Sequence, residues 1–167
     1  MLNIKTSRKL LVVALCTLTS GLYAGPFDKG STSISLVVGA GTAFNQNYTV
    51  VGAGIDYFVM DGLQLGVDAQ AWLGGDISIY KLSPQARYVI DTGAALKPYV
   101  GVFYRKTFFE NLNDLESVGG RVGVYFRTDG NVSLSAGYVF ENYLDCDETV
   151  FADCSDSYPE LVLSFAL

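Results

Sequence analysis

From Leu63 to Leu73 the chain alternates without a break. Leu63, Leu65, Val67, Ala69, Ala71 and Leu73 share one side, and Gln64, Gly66, Asp68, Gln70 and Trp72 share the other. A period of two puts successive side chains on opposite faces of an extended strand, which no helix does. The pattern returns at 118–127, at 132–141 and from Glu160 to Leu167, and less cleanly at 31–41, 48–59, 77–90 and 98–107. Asp61-Gly62 and Asp129-Gly130 are tight-turn pairs, and Asp91-Thr92-Gly93 opens a third turn. The longer, more polar connections are expected after the first, third, fifth and seventh segments, so that short turns and long loops alternate. The pattern predicts an all-β fold, an antiparallel up-and-down meander of eight strands in one domain.

Residues 1–24 are of another kind. Lys5, Arg8 and Lys9 precede the apolar run Leu10–Leu18, and Leu22-Tyr23-Ala24 forms a cleavage site. This order of charge, oil and small residue is that of a secretory signal peptide, leaving 25–167 as the barrel domain. Removing three basic residues from eleven leaves eight against 17 acidic ones, a net charge of −9. An acidic balance excludes the basic face that nucleic acid requires. The absence of histidine excludes His-based catalysis and His-ligated zinc. The mean hydropathy of +0.28 is high, yet beyond residue 24 no apolar run approaches the ~20 residues of a spanning helix.

An eight-stranded meander closes with its oily face either in or out. The more polar face is mostly Gly, Ser and Gln, with one or two charges per strand. That is too small for a solvated coat, and it suits a bore that side chains fill. The apolar face is Leu, Val, Ala and Ile with aromatics near the strand ends. Tyr57, Tyr88, Phe126 and Phe165 fall toward the short turns; Tyr80, Tyr104, Tyr138 and Phe140 fall toward the long loops. Two aromatic belts around an aliphatic band are what a bilayer selects.

The stretches Ser83-Pro84-Gln85-Ala86-Arg87-Tyr88 and Lys97-Pro98-Tyr99-Val100-Gly101 are similar to patterns common in one family. The mature chain resembles the small eight-stranded outer-membrane β-barrels of Gram-negative bacteria, the group of the OmpA membrane domain and OmpX. The resemblance implies residence in the outer membrane among its lipids and lipopolysaccharide. It also implies insertion by the barrel-assembly machinery and a monomeric state. One departure is that the chain ends Phe165-Ala166-Leu167, where such barrels usually end in an aromatic residue. No appended peptidoglycan-binding domain is expected.

Parity places Asp56, Asp68, Lys81, Arg87, Arg105, Arg121, Glu141 and Glu160 on the inward face. Buried charges must pair, so a network is expected in which Arg87 and Arg121 meet Asp68 and Glu160. The inward glycines Gly39, Gly52, Gly54, Gly66, Gly101, Gly119, Gly123 and Gly137 leave water pockets or make room for arginines. The last loop carries Cys146 and Cys154, for which an oxidising periplasm favours a disulfide. Asp145, Asp147, Glu148, Asp153 and Asp156 make an acidic tip, a candidate for weak Ca²⁺ or Mg²⁺ binding, although the spacing matches no calcium loop. Phe108, Phe109, Leu112 and Leu115 put apolar residues in the loop 108–117, read either as a contact patch for a host or phage surface or, for Phe108 and Phe109, as the outer membrane interface.

No catalytic, metal or cofactor motif is found. The reading is a non-enzymatic barrel with a plugged lumen and a structural or surface-interaction role. A narrow pore for small or hydrophobic solutes stands second, and a lipid-modifying enzyme lacking a His base third.

Overall fold

The computed structural model describes residues 25–43, 46–110, 113–127, 130–144 and 154–167. It contains β1 (Thr32–Ala43), β2 (Gln46–Met60), β3 (Leu63–Leu73), β4 (Ile79–Val89), β5 (Leu96–Phe109), β6 (Leu115–Arg127), β7 (Val132–Leu144) and β8 (Ser155–Ala166). Each strand pairs antiparallel with the next, and β1 pairs with β8, giving a closed eight-stranded barrel. β3 has the bounds of its period-two run, β4 is shorter than its expected segment, and the other strands run beyond theirs by two to five residues in all. The alternation of side-chain faces continues wherever pairing continues.

The expected alternation of short turns and long loops is corrected. Only residues 44 and 45 separate β1 from β2, whereas the turn from β4 to β5 takes 90–95. Of the polar stretch 42–47 that reads as a loop, residues 42–43 and 46–47 are instead strand: Thr42 faces Asn47 and Ala43 faces Gln46 across the ladder, beside Gly41 facing Tyr48. Pairing with a neighbour outweighs the low strand preference of Gly and Asn at such positions.

Following partners round the wall measures its stagger. From Ser33 the path runs through Asp56, Gly66, Gln85, Phe103, Gly119 and Glu141 to Asp156. Ser33 itself pairs with Ala166 on β8, ten residues from Asp156. A stagger of this size tilts eight strands by about 40° and leaves a bore that side chains can fill. One end of the barrel carries the turns after β2, β4 and β6 together with residues 25–31. The other carries the connections after β1, β3, β5 and β7. At the turn end Gly62 has φ +77°, and a Cβ there would lie 2.5 Å from the Val89 carbonyl oxygen. The tight pair Asp61-Gly62 therefore tolerates no other residue at its second position without strain.

The two faces separate as parity requires. Ile34, Leu36, Ile55, Leu65, Val67, Val102, Val122 and Leu161 point outward and are exposed. Tyr57, Tyr88, Phe126 and Phe165 ring the turn end, opposite Thr32, Leu63, Leu96 and Val132 at the strand termini. The aromatics toward the loop end are more ragged. Tyr80 faces Phe108 across β4 and β5, while Tyr138 sits opposite Val122, well down the wall. Phe109 departs from the expected interfacial position: parity turns it inward, onto the cluster of Tyr48, Trp72 and Ile79. An apolar wall of this extent suits hydrocarbon and not water, and closure leaves no backbone edge unpaired within it.

Val102 is 63% exposed and lies midway along β5. Val102→Arg is expected to cost about 2–4 kcal/mol, read by denaturant unfolding of the protein in lipid vesicles. A cost near zero would show that the wall is not lipid-facing.

Candidate functional site

The bore is lined by polar and aromatic side chains on rigid strands. The eight charged residues assigned inward by parity are all at most 3% exposed, four cations against four anions. They form three tiers.

In the tier nearest the loops, Glu141 on β7 is shared by two cations. Lys81 Nζ lies 3.1 Å and Arg105 Nη1 2.6 Å from its Oε2. Ser117 Oγ donates to Oε1 at 2.6 Å. Arg105 Nη1 also donates to the Tyr158 hydroxyl at 2.5 Å, and Lys81 Nζ sits 4.1 Å above the Trp72 ring.

In the middle tier, Arg121 on β6 is shared by two anions. Nη1 is 3.3 Å from Glu160 Oε1, and Nη2 is 3.4 Å from Asp68 Oδ1. Gln70 donates to Asp68 Oδ2 at 3.2 Å and accepts from Trp72 Nε1 at 3.4 Å, joining this tier to the one above. Two cations on one anion and two anions on one cation leave opposite excess charges in adjacent tiers. Their attraction offsets what either triad would cost alone.

The lowest tier departs from expectation. Arg87 meets neither Asp68 nor Glu160, and no carboxylate lies within ion-pair distance of it among the described residues. Its Nη1 donates to the Tyr125 hydroxyl and its Nη2 to Gln85 Oε1 at 3.3 Å. Gln85 Nε2 in turn donates to Asp56 Oδ1 at 3.0 Å, so an amide carries the link between guanidinium and carboxylate. The tilt of the strands explains the change: Arg87 is opposite Gln64 on one side and Gly101 on the other, a level below Arg121.

Parity also put Gln64, Gln85, Tyr99 and Tyr125 inside, but nothing in the sequence distinguished them as partners of charge. The glycines give room to rings and to arginine stems. A Cβ on Gly119 would fall 2.3 Å from Phe103 Cζ, and one on Gly137 would fall 2.2 Å from the Tyr99 hydroxyl. Arg121 and Arg87 stems lie against Gly101, at 3.1 and 3.3 Å from where its Cβ would be.

One seam has a particular construction. The register of β4 with β5 runs to Leu82–Lys106 and resumes at Gln85–Phe103, stepping over Ser83 and Pro84. Pro84 has no N–H to give to the ladder. At that level Arg105 Nε donates to Ser83 Oγ at 2.6 Å, so a side chain ties the wall where the backbone does not.

Cys146, Asp145, Asp147, Glu148 and Asp153 lie outside the described residues. Cys154 stands at the foot of β8, its carbonyl accepting from Tyr143 N–H at 3.0 Å. Asp156, expected in the acidic loop tip, is instead in β8 opposite Glu141, half-buried on the inward side. The strand begins earlier than its apolar alternation does, because pairing with β7 continues to Asn142–Ser155.

Comparison with solved structures gives the same architecture. The N-terminal β-barrel domain of Pseudomonas aeruginosa OprF aligns with a TM-score of 0.66 at 17% identity, covering 83% of this chain and 98% of that one. The fold is that of the small outer-membrane barrels. Neisserial surface protein A aligns at 0.59 and 16% identity, covering 81% of this chain and 95% of that one. Yersinia pestis Ail aligns at 0.51 and 14%, covering 83% and 98%. No family model matches the chain, and no curated protein matches it.

Glu141→Ala leaves Lys81 and Arg105 without their shared anion, and a loss of about 3–5 kcal/mol is expected in equilibrium unfolding. Gly123→Ala would set a Cβ 2.4 Å from the Ala136 carbonyl oxygen and 2.5 Å from the Tyr99 hydroxyl. It is expected to cost about 1–3 kcal/mol, and Tyr99→Phe is expected to recover only part, since the backbone contact remains.

Proposed function

We propose that this chain is an outer-membrane barrel, exported by a leader at 1–24, that closes its own bore and serves a structural or surface-interaction role. The observation that carries this reading is the ion network. Six of its charges pair directly across β3, β4, β5, β6, β7 and β8, Arg87 and Asp56 are joined through Gln85, and all eight side chains are buried. Fixed charges held at full burial are a plug more readily than a path. We read the chemistry as non-enzymatic: the chain has no histidine, and Ser117, whose hydroxyl donates to Glu141, is fully buried with it between two cations, out of reach of a substrate. The barrel lives among outer-membrane lipids and lipopolysaccharide, is inserted by the barrel-assembly machinery and acts as a monomer. The acidic loop, Asp145, Asp147, Glu148 and Asp153 with Asp156 below it, faces outside the cell, where weak binding of divalent cations is its candidate chemistry.

Cutting after Ala24 would free the amine of Gly25, whose nitrogen lies 2.5 Å from Asp28 Oδ2. A new ammonium there has its counter-charge in place, which supports the leader reading. Cys154 begins the return from the last loop, and a bond to Cys146 would close a short loop worth ~2–3 kcal/mol. Intact mass of protein from outer-membrane fractions is expected to match residues 25–167 less two hydrogens, with no thiol labelled before reduction.

A second reading, a narrow pore, has one observation in its favour. The Tyr99 hydroxyl, Ser135 Oγ, Arg121 Nε and Glu160 Oε2 are buried with no hydrogen-bond partner among the described residues. Such groups call for water. Planar-bilayer recording decides between the two: no steady conductance is expected from the purified protein, and resolved steps would establish the pore.

A further inference from the structure

The residues before β1 are not a free tail. Gly30 N–H donates to the Phe58 carbonyl at 2.8 Å, and Phe58 N–H donates back to Ser31 O at 3.0 Å. Gly62 N–H donates to Phe27 O at 2.9 Å, and Lys29 N–H donates to Asp61 Oδ1 at 2.8 Å. Asp28 turns the strap through Asp28 N–H to Gly25 O at 3.0 Å and Ser31 Oγ to Asp28 O at 2.7 Å. These bonds carry residues 25–31 across the mouth of the barrel at its turn end.

Phe27 points into that mouth. Its ring meets Tyr125 at 5.1 Å and Phe58 at 6.0 Å, the latter edge-on at 81°. Lys97 Nζ lies 5.9 Å from the same ring. Behind Phe27 is a cavity of about 10 Å³, lined also by Phe58, Gln64, Tyr125, Ser133 and Ser164. That is room for one water, and Gln64 Nε2 has no protein partner among the described residues. The lining is polar, and the next tier inward is Arg87 on Tyr125 and Gln85.

We propose that the strap 25–31 is a detachable stopper, with Phe27 as its plug, that seals the lower bore from the compartment beneath the membrane. The plug holds by ring contacts, while the strap is tied to the barrel by four hydrogen bonds, at Phe27, Lys29, Gly30 and Ser31. An element of that kind opens locally at far lower cost than the barrel unfolds. Behind it lies a serine- and glutamine-lined vestibule ending on a guanidinium, wettable once the ring is withdrawn. The closure is independent of the ion network, because the network lies above it and shares only Tyr125 with it.

The test is thiol access in folded, purified protein in which Cys146 and Cys154 are serine, with Ser133→Cys reporting from the vestibule. A boiling-dependent gel shift certifies folding of every variant. A water-soluble maleimide is expected to label Ser133→Cys slowly, and about tenfold faster when Phe27→Ala is added. Asp61→Ala loosens the strap from outside and touches no lumen residue; it is expected to raise the rate in the same direction by less. The proposal is overturned if Ser133→Cys in the otherwise intact strap labels as fast as Ala94→Cys at the exposed turn between β4 and β5. It is equally overturned if Asp61→Ala and Phe27→Ala both leave the rate unchanged. The assay runs in detergent micelles and reads neither conductance nor location, so its failure is distinct from failure of the plugged-barrel reading.

Discussion

Every backbone N–H and C=O in a wall that faces hydrocarbon must find its partner within the wall, because lipid offers none. Closure of β1 on β8 meets this demand, and the other features of the molecule follow from it. A closed eight-stranded sheet has a bore too narrow for solvent-filled space on the scale of a large porin, so the inward positions become a packing problem with polar pieces. Where the ladder steps over Pro84, the wall is tied from inside by Arg105 and Ser83. The interior thus repairs the sheet as well as filling it.

The interior solution is electrostatic and steric together. Glu141 serves two cations and Arg121 serves two anions, so neither tier is neutral alone and both are held by their neighbours. Glycines at Gly119, Gly123 and Gly137 are the steric condition for that arrangement. They let Phe103 and Tyr99 of β5 lie across the neighbouring strands β6 and β7. At the turn end Phe27 packs with Phe58 and Tyr125 beneath the Arg87 tier, so rings as well as charges fill the bore at both ends.

Much of the fold was legible in the residues, for a simple reason. Parity is local: once one position in a strand is known to face the bore, every second neighbour follows, and 63–73 needed no tertiary information at all. The inward assignment of Asp56, Asp68, Lys81, Arg87, Arg105, Arg121, Glu141 and Glu160 rests on that rule, and each lies buried in the bore. Loop length was misread at 42–47 because polar residues such as asparagine and glutamine look like loop until a neighbouring strand pairs with them. Phe27 carried no signal, since a single aromatic ahead of the first alternating run has no period to belong to.

The sequence by itself determined that the chain is an eight-stranded meander with an apolar face and a polar face, because the pleat repeats every two residues wherever the strand lies. Only the tertiary structure decided who meets whom inside. Partners across the bore are set by strand tilt and by the ten-residue stagger on closing the sheet. No stretch of sequence contains that quantity, since it belongs to the ring of strands as a whole. That is why Arg87 answers to Tyr125 and, through Gln85, to Asp56, while Arg121 alone takes both Asp68 and Glu160.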